Sequence, residues 1–71
     1  MSQARLDRIA LALRAFNESG GRATYWHLKE LIVRTAGISF VTADRYITEM
    51  AAMGKIKAEG AFWVITESGE T

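Results

Sequence analysis

Cysteine and proline are both absent from the 71 residues, histidine occurs once, and no run of about 18 apolar residues is present. Without cysteine there are no disulfides, no thiolate zinc ligands and no thiol nucleophile, which suits a reducing compartment. The lone His27 has no second histidine and no carboxylate at ligand spacing, so no metal site is expected. Met1-Ser2-Gln3-Ala4-Arg5 leads straight into a charged amphipathic segment with no apolar signal core. The expectation is a soluble cytoplasmic protein with no membrane partner. A strong charge of one sign is missing too: nine Lys+Arg stand against eight Asp+Glu, for a net charge of +1. Setting aside Glu67 and Glu70 leaves nine basic against six acidic side chains, a mild bias towards a polyanion.

Length sets a further bound. A chain of this mass folds to a surface of ~4,400 Å² from an unfolded ~11,500 Å². The apolar part of that loss stabilises by ~100 kcal/mol, and ordering the chain costs about the same. One small domain can fold on that balance, with no reserve for an enclosed substrate cavity of several hundred Å³. The serines and threonines lack an obvious base, and Gly20-Gly21 has no following Lys-Ser/Thr to make a phosphate loop. No enzyme activity, catalytic residue or cofactor is therefore expected.

Hydrophobic spacing supplies the elements. Leu6, Ile9, Ala10, Leu13 and Phe16 make one helical stripe, with Ser2 as N-cap and Asn17 with Gly20-Gly21 as the stop. Arg5, Arg8, Leu11 and Ala12 fall on its solvent side, Leu11 as a candidate contact for a partner or a second copy. Arg22-Ala23 allows only a short bridging strand. Thr24 then caps a second helix over Tyr25 to Ala36, with Leu28, Leu31, Ile32 and Thr35 on one side and Trp26 and Val33 on the other. A helix apolar on two sides should be sandwiched between neighbours. Gly37 ends it, Ile38 plugs the gap beneath the turn, and Ser39 caps a third helix with Ala43, Tyr46, Ile47, Met50 and Met53 as its buried stripe before Gly54. Trp26, Trp63, Met50 and Met53 read as core pieces.

From Lys55 the period becomes two. A two-residue turn at Glu59-Gly60 puts Ile56, Ala58, Ala61, Trp63 and Ile65 on one face of a hairpin and Lys55, Lys57, Phe62 and Val64 on the other. A three-residue loop ending at Gly60 buries Phe62 and Val64 instead. The chain reads as one α+β domain over residues 1–66, a three-helix bundle followed by a C-terminal β-hairpin, with residues 67–71 as a disordered tail.

The run Gly37-Ile38-Ser39-Phe40-Val41-Thr42-Ala43-Asp44-Arg45-Tyr46-Ile47-Thr48-Glu49-Met50-Ala51-Ala52-Met53-Gly54-Lys55-Ile56 resembles the turn, recognition helix and wing entry of winged helix-turn-helix transcriptional regulators. Ile65-Thr66-Glu67-Ser68-Gly69 is similar to the Leu-Thr-Glu-x-Gly that closes the wing in many bacterial and archaeal members. The resemblance covers roughly residues 5–69. It implies a small DNA-binding protein, a transcriptional regulator of a prokaryote, its virus or plasmid, with the third helix in the major groove of double-stranded DNA and the wing on phosphates. The third helix departs from the family in charge, holding Arg45 alone against Asp44 and Glu49. No dimer-building helix follows the wing, so a homodimer would use the first helix or the wing.

On the side of the third helix opposite its buried stripe lie Val41, Thr42, Arg45 and Thr48, flanked by Ser39, Phe40 and Asp44. Arg45 suits a guanine edge or a phosphate, Thr42 a base or phosphate, and Val41 or Phe40 a thymine methyl. Ser39, as the cap, sits where backbone amides can donate to a phosphate. Arg22, Lys55 and Lys57 are candidate phosphate contacts, with Lys29 and Arg34 as weaker ones. The wing tip, Ala58-Glu59-Gly60-Ala61, lacks the Arg that minor-groove insertion favours. A different class of function fits the outward apolar set Phe40, Val41, Phe62 and Val64: a winged-helix module that docks on another protein without binding DNA.

Overall fold

The computed structural model describes residues 2–66. Three helices, α1 (Gln3–Glu18), α2 (Tyr25–Ala36) and α3 (Phe40–Ala52), are combined with three strands, β1 (Arg22–Thr24), β2 (Ile56–Glu59) and β3 (Phe62–Ile65). Each helix opens on the hydroxyl that the sequence offers. Ser2 accepts from the Arg5 amide, Thr24 from that of His27 and Ser39 from that of Thr42. Such a side chain satisfies one of the otherwise unbonded N–H groups of the first turn.

The strands form one antiparallel sheet in the order β1-β3-β2, so the last strand in sequence is the central one. Arg22 lies opposite Val64, and Ala23 opposite Trp63. On the other side Ile56 pairs with Ile65, Lys57 with Val64, Ala58 with Trp63 and Glu59 with Phe62. The hairpin turn is therefore Gly60-Ala61, and neither of the loops expected from the sequence forms. Ala61 is a turn residue and not part of the inward face. Gly60 takes φ +63°, a value that L side chains rarely adopt and that the first position of a two-residue hairpin turn requires. Since the shift preserves the parity of each strand, Ile56, Ala58, Trp63 and Ile65 still share a face.

The helices pack on that face. Ile9, Ala12, Phe16, Leu28, Ile32, Ala43, Tyr46, Ile47, Met50 and Ile56 form the buried core, with Leu13, Leu31, Ile38, Trp63 and Ile65 against it. Gly21 closes the space between α1 and β3. Its amide donates to the Phe16 carbonyl, its own carbonyl accepts from Ile65, and a Cβ there would stand 3.3 Å from the Ile65 side chain.

Four expectations about burial are corrected. Ala12 is 0% exposed while Leu6 and Ala10 are exposed, so the buried stripe of α1 is turned towards Ile9, Ala12 and Phe16. A methyl side chain lets α2 approach α1 closely, which the bulkier Leu6 would not. Trp26 is 57% exposed and is no core piece, because the second apolar side of α2 meets only the edge of α3. Met53, the C-cap of α3, is 41% exposed, beyond the last turn that the core covers. Lys55 precedes β2 and lines a depression with Leu13, Arg14 and Asn17 of α1, on the helix-covered side of the hairpin. The expected tail, residues 67–71, lies outside the described residues.

Candidate nucleic-acid interface

Along α3, residues 41, 45 and 48 recur at offsets of four and three, the spacing of a single helix flank. Val41 is 71% exposed, and Arg45 and Thr48 are exposed with it. No described residue covers this flank. At its start Ser39 Oγ accepts the Thr42 amide at 3.2 Å and donates to Thr42 Oγ1 at 3.1 Å. The Thr48 hydroxyl donates back to the Asp44 carbonyl at 3.1 Å, which leaves its oxygen as an acceptor on the surface.

The two acidic side chains of α3 are already engaged. Lys29 of α2 donates to the Asp44 carboxylate at 3.1 Å, and the Tyr25 hydroxyl donates to the same group. The Tyr25 hydrogen bond, with that from Lys29 and its charge, holds the Asp44 carboxyl below its ordinary range. The same hydrogen bond, with some burial and the carboxylate charge, pushes Tyr25 up to about 12. Glu49 accepts from Arg5 Nε at 2.8 Å, and the Arg5 guanidinium also lies 5.2 Å from the Tyr46 ring centroid. Arg45 has no ion-pair partner among the described residues. It borders a shallow depression with Arg5, Asp44, Thr48 and Glu49. An outward flank whose sequence reads as one cation against two anions therefore presents Arg45 with both anions compensated.

The remaining sequence candidates fall on other surfaces. Phe40 stacks on Trp26 with ring centroids 5.0 Å apart, and Lys29 Nζ lies 4.9 Å from the Phe40 centroid. This ties Phe40 to α2 more than to the Arg45 flank. Arg22 and Lys57 stand on the uncovered face of the sheet, on either side of Val64. The Arg22 guanidinium is 4.1 Å from the Phe62 centroid, and Lys57 lies 3.7 Å from Glu59. Arg22 and Arg34 share an open cleft of about 520 Å³ floored by Phe16, Leu31 and Phe62. Lys55 is separated from all of these, beside α1. Phe62 and Val64 are half-buried on the sheet face, so the four apolar residues expected to form one patch lie on two surfaces.

Sequence reading missed Tyr25, Lys29 and Arg5 as the residues that compensate α3, since each lies on another helix at a separation no local period encodes. Among the described residues no three His, Cys, Asp or Glu side chains come together as a metal site. No helix there is long and apolar enough to cross a membrane. His27 Nδ1 lies 3.2 Å from the Thr24 hydroxyl, next to the cap of α2.

These features define a small α+β domain of three helices and a three-stranded antiparallel sheet, with an uncovered flank on its third helix. Compared with protein-family models, curated proteins and solved structures, the chain matches none.

Proposed function

We propose that this chain is a winged-helix protein that binds double-stranded DNA, acting as a transcriptional regulator in the cytoplasm. On this reading α3 enters the major groove, with Arg45 on a guanine edge or phosphate, Val41 against a thymine methyl, and Thr42 and Thr48 offering short polar contacts. The hairpin is the wing. Arg22 is its clearest phosphate contact, since Lys57 shares its charge with Glu59. The observation that carries the reading is the bare Val41–Arg45–Thr48 flank on a helix whose two carboxylates are compensated from behind by Tyr25, Lys29 and Arg5.

The test is a fluorescence titration of the protein against mixed-sequence duplex DNA over a salt series. Each phosphate contact contributes about −0.9 to the slope of log K against log salt, so two to four contacts predict a slope of about −2 to −4. Arg45→Ala is expected to cost about 1–3 kcal/mol at a preferred site. Absence of binding at low salt, or binding indifferent to both Arg45→Ala and Arg22→Ala, refutes it.

A second reading, docking on another protein, is favoured by the exposed pair Trp26 and Phe40 beside Val33. Amide-shift mapping separates the two. DNA-induced changes at Thr42, Arg45 and Thr48 belong to the first reading, whereas silence there and partner-induced changes at Trp26 and Phe40 belong to the second.

A further inference from the structure

β2 is an edge strand, and its hydrogen-bonding phase can be read from its neighbours. Thr66 N–H donates to the Lys55 carbonyl, whereas Ile65 N–H donates to Gly21 on the opposite side. Antiparallel ladders alternate, so Val64 and Phe62 also turn their backbone groups to β2, and their partners Lys57 and Glu59 bond β3. Ile56 and Ala58 therefore turn N–H and C=O away from the sheet; Ile56 is only 2% exposed, so its groups are covered, whereas Ala58 is exposed on an edge that no other described strand pairs with. Exposed edges of this kind are templates for pairing with another strand.

We propose that the partner is a second copy of this chain, its β2 laid antiparallel to the first across a twofold axis at Ala58, joining two three-stranded sheets into one of six. The charges select both the occupant and the register. A twofold at Ala58 sets Lys57 opposite Glu59 of the second copy and Glu59 opposite its Lys57. Both pairs are non-hydrogen-bonded, the kind in which side chains stand closest. A twofold at Lys57 or Glu59 faces each of these residues with itself, and one at Ile56 faces Lys57 with Lys55, so every other register opposes like charges. The central Ala58 pair is hydrogen-bonded, in phase with the groups that Ala58 turns outward, and its methyl side chains leave room for the approach. Lys57 and Glu59 are each 61% exposed, and the 3.7 Å pair they make within the strand is exchanged for two pairs across the axis. A four-residue edge is small beside the ~800 Å² per partner of a standard interface, so the dimer is weak and forms with rising concentration. This surface is independent of the DNA reading and needs no nucleic acid.

Sedimentation of the full chain from about 10 μM to about 1 mM tests it. The mass should rise from 7.9 kDa towards twice that value. Lys57→Glu should weaken association at least tenfold, and Lys57→Glu with Glu59→Lys should restore it, with circular dichroism confirming that both variants are folded. Amide hydrogen exchange on the unaltered protein gives a second readout. Protection of the exposed Ala58 amide should increase with concentration, while that of Lys57 and Glu59, already bonded to β3, should not. A chain that stays monomeric to 1 mM overturns the proposal. So does a dimer indifferent to Lys57→Glu, one that the double exchange fails to restore, or an Ala58 amide whose protection does not change.

Discussion

Ala12 shows how much one methyl side chain decides in a domain this small. It is wholly buried in the core that α1 shares with α2, and any larger residue must push the helices apart. Ala12→Leu is expected to destabilise the fold by about 1–3 kcal/mol, read as a lower midpoint in urea unfolding. The sequence hid this because alanine carries almost no weight in a hydrophobic stripe, while Leu6 and Ala10 rotate the apparent stripe away from the true one. Tyr25 and Asp44 give the second prediction at this scale. Asp44 titrates below its ordinary range when folded, so its contribution is present above the unfolded carboxyl value of about 3.9 and is lost as pH falls through the lower folded one. Tyr25 has the opposite sense. Its contribution is present below the ordinary tyrosine value of about 10 and is lost as pH rises through about 12. A spectrophotometric titration should place one tyrosinate near pH 12, and that step should vanish in Tyr25→Phe. Asp44→Asn should flatten the acid limb of the stability profile.

The helices were legible because capping and periodicity are local. Ser2, Thr24 and Ser39 cap the helices they were expected to cap, and α2 spans the residues its stripe predicted. The hairpin register was not legible to the residue, since two turns differing by one position bury the same four side chains. The positive φ of Gly60 at the first turn position decided between them. The partner of β1 was also invisible, because pairing across two helices and a strand leaves no periodic trace. Gly21 joins these elements: it has φ +72°, and its Cα lies where a methyl group would press on Ile65. Gly21→Ala should therefore cost about 1–2 kcal/mol from the backbone alone, with a further loss from crowding, measured by thermal or urea unfolding.

For the molecule as a whole, a net charge of +1 means that no broad field draws a polyanion in. The proposed affinity for DNA must then come from a few local cations, which is why the expected salt slope is shallow. Much of the candidate interface was readable as a helix flank, since Val41, Thr42, Arg45 and Thr48 follow from spacing alone. Its electrostatic character was not. The sequence shows Asp44 and Glu49 beside Arg45, and only the tertiary fold brings Lys29, Tyr25 and Arg5 to cancel them. If the sheets pair through β2, two such flanks come under one twofold axis, and an inverted-repeat sequence becomes the natural target.

The middle position of β3 also constrains how the chain reaches its native state. β1 leaves the ribosome with nothing to bond to, and all three helices are synthesised before its neighbour exists. Nascent chains cut short at Gly60 would carry helices without a sheet, with the apolar side of β1 bare. Non-local pairing of this kind slows folding relative to helix formation. Emergence of β3, and not the growth of the helical part, thus becomes the event that commits the polypeptide to its final form.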